Sequence, residues 1–215
     1  MFDKDSVLKQ LQSFSGSYEI HISVDQDSSI DMLYNLCEKF EAKPIVISLI
    51  QGKTRSQPML CKRLSGSPND VSDIIEDIYN KVSEKLLINR LKIEANTTNN
   101  GIPTTDEEAD KLPDYCYFEH HLRLNLDNKI DILKLSDELK KYKGHLSKNE
   151  FSNDKEFQKR FVTQRFYKIG NNQAKEKLEE MCKFIDSKKI KYDKKIREYN
   201  IYDSNIMLDD GWINE

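Results

Sequence analysis

Apolar and polar residues alternate over several short segments of this chain, and stretches with a helical period separate these segments. Between 18 and 25, apolar side chains such as Tyr18 and Ile20 alternate with polar ones such as Glu19 and His21, as in a strand with one buried face. From 30 to 40 the apolar residues recur every three or four positions, as in an amphipathic helix. This region therefore predicts a strand followed by a helix.

The same patterns continue along the chain and predict two series of six elements after a short helix over 4–14. The first series is strand 18–25, helix 30–40, strand 45–50, strand 59–64, helix 71–87 and strand 90–94. The second is strand 116–125, helix 129–142, strand 145–151, strand 159–168, helix 172–187 and strand 195–202. Each series has the order βαββαβ.

The two series also resemble each other in sequence. Residues 18–24 align with 118–124, and 30–33 with 130–133, both at an offset of 100 positions. A repeat of this size indicates a duplicated domain. The βαββαβ order is that of the ferredoxin-like unit, whose first and third strands are central and whose helices cover one face. The predicted fold is α+β: a tandem duplication of a ferredoxin-like unit, with two antiparallel sheets and helices on one face of each.

Composition shifts give the predicted boundaries. They are an N-terminal helix at 1–16, a first repeat at 17–95, a linker at 96–114, a second repeat at 115–202 and a tail at 203–215. The linker is polar, holds two prolines and lacks an apolar period. The tail contains the single tryptophan, Trp212, and is too apolar for a free end, so we expect it to dock on the body of the protein.

The composition limits the class of protein. The 215 residues are 33% charged and 37% hydrophobic, with a net charge of −3, which is typical of a soluble globular protein and directs no particular partner. No apolar run approaches the ~20 residues of a membrane span, and the N-terminus lacks a signal-peptide pattern, so a cytoplasmic location is expected. The cysteines, Cys37, Cys61, Cys116 and Cys182, are scattered and are expected to be buried, reduced thiols.

The duplicated strands repeat a Glu-x-His pattern on the face that points away from the helices. Glu19 and His21 occupy this face in the first repeat, and Glu119 and His121 in the second. If the two faces meet, the histidines could act as catalytic acid and base, or the four residues could bind a divalent metal ion as the cofactor. The alternative is a hydrogen-bonded polar ladder without chemistry.

Arginines accompany these residues. Arg63 and Arg165 align on the central third strands, where a guanidinium needs an acidic partner or an anionic ligand. They are predicted to clamp an anion, with Arg123 and Ser23 as further ligand-binding residues. In the structural alternative, the arginines pair with the glutamates of the neighbouring strands.

A second pattern competes with the duplicated one. His21-Ile22-Ser23 and His145-Leu146-Ser147 are both His-x-Ser. Paired His-x-Ser or His-x-Thr strands resemble those of the 2H phosphoesterases, and the resemblance implies that the histidines act as base and acid on a phosphodiester while the hydroxyls hold its oxygens. It covers these six residues, and the second site lacks the apolar flanks of the first.

Together these features predict a small cytosolic protein with a polar cleft that binds an anionic, phosphorylated small molecule or a nucleotide, with hydrolysis as a further option. The alternative is a non-catalytic module that binds protein or RNA. The basic, aromatic-containing stretch 159–197 could bind single-stranded nucleic acid, but its aromatic residues also fit core positions and the protein is slightly acidic, which favours a solvated basic face. No membrane partner is expected.

Overall fold

The two repeats form one closed β-barrel with helices outside it. The computed structural model describes residues 2–151 and 157–213. The strands are β1 (Ser17–Val24), β2 (Lys43–Leu49), β3 (Ser56–Ser65), β4 (Ile88–Asn96), β5 (Tyr117–Leu126), β6 (His145–Asn149), β7 (Gln158–Tyr167) and β8 (Lys191–Asp203). The helices are α1 (Lys4–Ser13), α2 (Ile30–Lys39), α3 (Pro68–Ser83), α4 (Asp106–Asp110), α5 (Ile132–Lys140) and α6 (Asn171–Ser187).

Each repeat has the strand neighbours of a ferredoxin-like unit. In the first repeat β1 lies between β3 and β4, and β3 lies between β1 and β2. The second repeat places β5 between β7 and β8 in the same way. All these pairs are antiparallel. The α+β class and the duplicated βαββαβ order are therefore present.

The sheets differ from the prediction in one respect, because they are joined rather than separate. The strand order is β1-β3-β2-β6-β7-β5-β8-β4, and β4 closes back onto β1. The joints are β2 with β6 and β4 with β8, which are the edge strands of the two units. Pairing the edge strands gives hydrogen-bond partners to backbone N–H and C=O groups that each unit alone would expose. Strand patterns in the sequence did not indicate this closure.

The apolar faces of the strands point outward, under the helices. On β1, Tyr18, Ile20 and Ile22 are buried in a core that also contains residues of α1, α2 and α3. A second core lies between β5, β6, β7 and the helices α5 and α6. The polar residues of the same strands consequently point into the barrel. All four cysteines are buried and free, as expected.

The segments outside the repeats pack against the barrel units. In the predicted linker, Thr105 caps α4, and Asn99 Nδ2 donates to Phe14 O at 3.1 Å and to Ser17 O at 2.9 Å. After β8, a 3-10 helix (Ile206–Asp209) leads to the buried Trp212. The outermost residues of the predicted boundaries, 1, 214 and 215, and the stretch 152–156 within the second repeat lie outside the described residues.

The tail is attached to the turn between β2 and β3. Lys53 N donates to Asp210 O at 3.0 Å, and Gly52 has a φ of +115°, a conformation that favours glycine. A Cβ atom at Gly52 would lie 3.2 Å from Cβ of Trp212. Of the helices in ranges 2–151 and 157–213, none is long and apolar enough to cross a membrane.

Candidate functional site

The barrel encloses a cavity of about 600 Å³. Its lining draws residues from all eight strands and from the tail. Seven of the residues singled out from the sequence line it: Glu19, His21, Ser23, Arg63, Glu119, His121 and Arg165. The polar faces of the two repeats therefore meet inside one barrel.

The duplication is visible in how the two histidines are held. His21 lies opposite Cys61 in the register of β1 and β3, and its Nδ1 is 3.0 Å from Cys61 Sγ. His121 lies opposite Thr163 in β5 and β7, and its Nδ1 is also 3.0 Å from Thr163 Oγ1. Both imidazoles thus have one nitrogen fixed by the third strand of their own repeat, and Nε2 is directed to carboxylates.

The Glu–Arg pairs are repeated as well. Arg63 Nε donates to Glu19 Oε2 at 2.9 Å, and Arg165 Nε donates to Glu119 Oε2 at 2.9 Å. Their surroundings differ, because the Arg63 side chain is 82% exposed and that of Arg165 is 1% exposed. The arrangement follows the structural alternative, in which the arginines pair with the neighbouring glutamates.

Arg165 and Arg123 do not have the free guanidinium groups that an anion clamp requires. Arg165 also donates to Asp209 at 2.7 Å and lies over the Tyr117 ring. Arg123 makes a bidentate pair with Asp193, at 2.6 and 2.9 Å, and is absent from the described cavity lining. The expectation that these two arginines hold the ligand therefore needs correction.

The buried charged groups form one chain of alternating sign. Arg90 bonds both Asp203 and Asp209, and Asp209 also accepts from Arg165. The chain continues through Glu119, Lys92 and Glu94 to His21. The alternation compensates charges that would each be costly to bury alone.

Lys92 is the link between the two repeats in this chain. Its Nζ lies 2.7 Å from Glu94 Oε1 and 2.7 Å from Glu119 Oε1. Although burial alone would lower the pKa of Lys92, the Glu119 and Glu94 carboxylates hold it well above its ordinary value. Lys92 is therefore a cation, and it is unsuited to act as an amine nucleophile.

The position of Lys92 also bears on the predicted metal site. Among the described residues, the cluster suited to a metal ion is Glu94, Glu119 and His121, whose ligand atoms lie within 4.8 Å of one another. Glu19 and His21, predicted as further ligands, are outside it. The Lys92 ammonium already neutralises both carboxylates at 2.7 Å. The residues as arranged do not fit a divalent cation.

Several residues of this centre were missed in the sequence. Arg90, Lys92 and Glu94 alternate on β4, which is the same signal that identified Glu19 and His21 on β1. The period shows that they share a face, but only the closed barrel shows that this face points inward. Asp209 belongs to the tail, and no pattern connects it with Arg90.

The carboxyl group of Glu198 titrates near neutral pH. Burial and the neighbouring Glu94 carboxylate raise the pKa of Glu198 from 4.5 to about 7, despite the opposing effect of His121. Its Oε2 is 3.7 Å from His121 Nε2, and its side chain is 16% exposed. Glu198 occupies the place in the second repeat that Glu94 has in the first, since both lie opposite the strand-one glutamate.

Both cavity histidines favour the charged form. Burial alone would lower the pKa of His21, but Cys61 and Glu94 raise it well above its ordinary value. Burial is likewise outweighed at His121, where Glu119 and Glu198 raise the pKa. By contrast, His120 points away from the cavity into the core, and burial lowers its pKa to about 3. The neighbours of both cavity histidines therefore stabilise the charged form of the imidazole.

The raised pKa of Glu198 predicts a pH-dependent stability. The folded state takes up a proton at Glu198 between its ordinary pKa of 4.5 and about 7, so stability falls as pH rises through this window. We expect the free energy of unfolding in urea to fall by about 2–3 kcal/mol from pH 5 to pH 7. Glu198→Gln should remove most of this fall, whereas Glu176→Gln on the surface of α6 should keep it. An unchanged slope in Glu198→Gln would contradict the assignment.

The His-x-Ser pattern is only partly assembled. Ser23 and Ser147 both line the cavity, but His145 contacts the Trp212 ring, with centroids 6.3 Å apart, and is not in the described lining. Its strand, β6, is separated from β1 by β3 and β2. The residue equivalent to His21 by the duplication is His121.

The exposed residues of the cavity lining include three basic side chains and the acidic Glu41. The basic ones are Lys43, Arg63 and Lys194. Burial together with the nearby Arg123, Lys43 and Arg63 lowers the pKa of Lys194, against the opposing effect of Asp193. Within the part of the chain that the structure describes, neither Lys43 nor Lys194 has an ion-pair partner. We call Lys43, Arg63 and Lys194 the basic mouth.

Comparisons with known proteins add little to this geometry. No protein-family model and no curated protein matches the chain. Among solved structures, it is similar to the acetolactate synthase small subunit from Thermotoga maritima, with 14% identity, coverage of 85% of this chain and 92% of that chain, and a TM-score of 0.30. It is also similar to a mutant chlorite dismutase from Candidatus Nitrospira defluvii, with 10% identity, coverage of 89% and 93%, and a TM-score of 0.30. Likeness at this level indicates neither a shared family nor a shared ligand.

Proposed function

We propose that this protein binds a small phosphorylated anion in the barrel cavity. The observation that carries the proposal is the basic mouth, where Lys43 and Lys194 lie at the opening of a cavity of about 600 Å³ without an acidic partner among the described residues. Cations that crowd together at an opening repel one another, and an anion bound between them relieves this repulsion.

The interior supports the same ligand. His21 and His121 line the cavity, and their neighbours raise the pKa of both imidazoles. The Ser23 hydroxyl lines the cavity beside them on β1. The ring nitrogens of both histidines already face protein partners, so the rings would act on a bound anion through their charge and not as free donors. The proposal keeps Ser23 as a ligand-binding residue, and it places His21 and His121, which were predicted as catalytic or metal-binding residues, beside the ligand. Lys43 and Lys194 replace Arg165 and Arg123.

Hydrolysis is a second candidate function, favoured by Glu198. A carboxyl group with a pKa of about 7 can both donate and accept a proton near neutral pH, and it lies 3.7 Å from His121 Nε2. These two groups are the acid–base pair we propose for such chemistry. The non-catalytic interaction module is less favoured, because both histidines line one concave cavity instead of facing outward.

Titration calorimetry with pyrophosphate, at two salt concentrations, tests the proposal. We expect the wild type to bind, and the double variant Lys43→Glu/Lys194→Glu to bind at least about tenfold more weakly, which corresponds to roughly 1.4 kcal/mol, with less salt dependence. The control Lys9→Glu/Lys134→Glu makes the same charge change on exposed helix positions and should bind like the wild type. Release of inorganic phosphate from pyrophosphate by the wild type, and loss of this release in Glu198→Gln, would show that the protein also hydrolyses its ligand.

Failure of the wild type to bind pyrophosphate would contradict the proposal. Equal weakening in both double variants would also count against it, because the effect would then arise from net charge and not from the basic mouth.

A further inference from the structure

We propose that the ligand of this cavity is an organic phosphate with a planar aromatic ring, the class to which nucleoside phosphates belong. This inference rests on the proposed function and narrows it. It is carried by an apolar wall that lines the same cavity as the basic mouth.

Four apolar side chains of β2, β3 and β7, which we call the apolar wall, line the cavity. They are Ile45 and Ile47 of β2, Met59 of β3 and Phe161 of β7. In the closed strand order, β2, which carries Ile45 and Ile47, lies across the barrel from β8, which carries Glu198. An inorganic anion gains nothing from such a wall, whereas an aromatic ring gains from apolar burial and from stacking on Phe161.

The unpartnered indole belongs to Trp212. Its side chain lines the cavity, its residue is 7% exposed, and its Nε1 has no hydrogen-bond partner among the described residues. Because this nitrogen is buried from water, a ligand in the cavity meets the Trp212 side chain without reaching its N–H group.

The spacing of the inward-facing residues along β2 suits a ligand that has a phosphate at one end and a ring at the other. Lys43 of the basic mouth, Ile45 and Ile47 are successive inward residues of this strand. At about 3.3 Å per residue, Lys43 lies roughly 7 Å from Ile45 and roughly 13 Å from Ile47. A phosphate at the basic mouth therefore leaves a ring a few ångströms away on the apolar wall. The volume of about 600 Å³ falls in the range of sites for organic ligands of this size.

The single tryptophan of the chain makes the test direct. The full chain is titrated with adenosine, guanosine, cytidine and uridine monophosphates, ribose 5-phosphate and inorganic phosphate, by calorimetry and by tryptophan fluorescence. At least one nucleotide should bind at least tenfold more tightly than ribose 5-phosphate and change the Trp212 fluorescence with the same saturation curve.

A substitution in the apolar wall tests whether this wall contacts the ring of the nucleotide. Phe161→Ala should weaken the preferred nucleotide about tenfold and leave ribose 5-phosphate unchanged. Tyr34→Ala, on an exposed position of α2, serves as the control, and circular dichroism verifies folding. Equal affinities for the nucleotides and ribose 5-phosphate, with unchanged fluorescence, would overturn this inference and leave the proposed function standing. Absence of binding by every phosphate would overturn both.

Discussion

Replacing Lys92 with methionine is expected to lower the free energy of unfolding by about 3–5 kcal/mol, the range for removing one partner of a buried ion pair. The Lys92 side chain is 10% exposed, and its ammonium lies 2.7 Å from both Glu94 and Glu119. Methionine keeps much of the apolar stem but leaves two buried carboxylates without their common cation. Urea denaturation at pH 7 measures the change.

A matched control separates the effect of burial from that of ion pairing. Lys4 also has two carboxylate partners at 2.7 Å, Asp73 and Glu76, but its side chain is 42% exposed. Lys4→Met should therefore cost much less than Lys92→Met, because water replaces the lost partner. Similar losses in the two variants would show that Lys92 has no special role in joining the repeats.

Replacing Asp209 with alanine is the second change expected to have a large effect, about 3 kcal/mol of stability. Its carboxylate accepts from Arg90 at 2.9 Å, Arg165 at 2.7 Å and Gln57 at 3.1 Å, and it is 2% exposed. The variant leaves two buried guanidinium groups with one acceptor fewer each. It should also loosen the tail, so that Trp212 fluorescence shifts to longer wavelength.

The neighbouring Asp210 provides the control for the tail. Asp210 pairs with Lys53, whose side chain is 79% exposed. Asp210→Ala should leave both the urea midpoint and the Trp212 emission close to those of the wild type. If Asp209→Ala behaved in the same way, the tail would not be held by the buried charges.

Much of the fold could be predicted because it depends on local periodicity. Alternation on β1 placed Ile20 under the helices and His21 on the polar face, and both positions are found. The internal match between 18–24 and 118–124 identified His121 as the equivalent of His21 without structural information. These features follow from which face of each strand is apolar.

The closure of the barrel and the ion pairs could not be predicted in this way. The joint between β2 and β6 spans only Ile47 to Leu49 on β2, and nothing in these residues specifies a partner strand. Whether Arg165 is free or paired depends on Asp209, which is 44 residues away and in a segment with no strand or helix pattern. Contacts between distant segments depend on the complete packing, which a single sequence does not display.

The most direct test of ligand binding inside the barrel is a side-chain NMR titration of the histidines. With ¹⁵N-labelled histidine, the nucleotide that binds most tightly is added stepwise at pH 7. We expect the ring resonances of His21 and His121 to shift together and saturably, because both line the cavity, while His120, buried outside it, stays unchanged. Binding that leaves His21 and His121 unperturbed would contradict the account and place the ligand elsewhere on the protein.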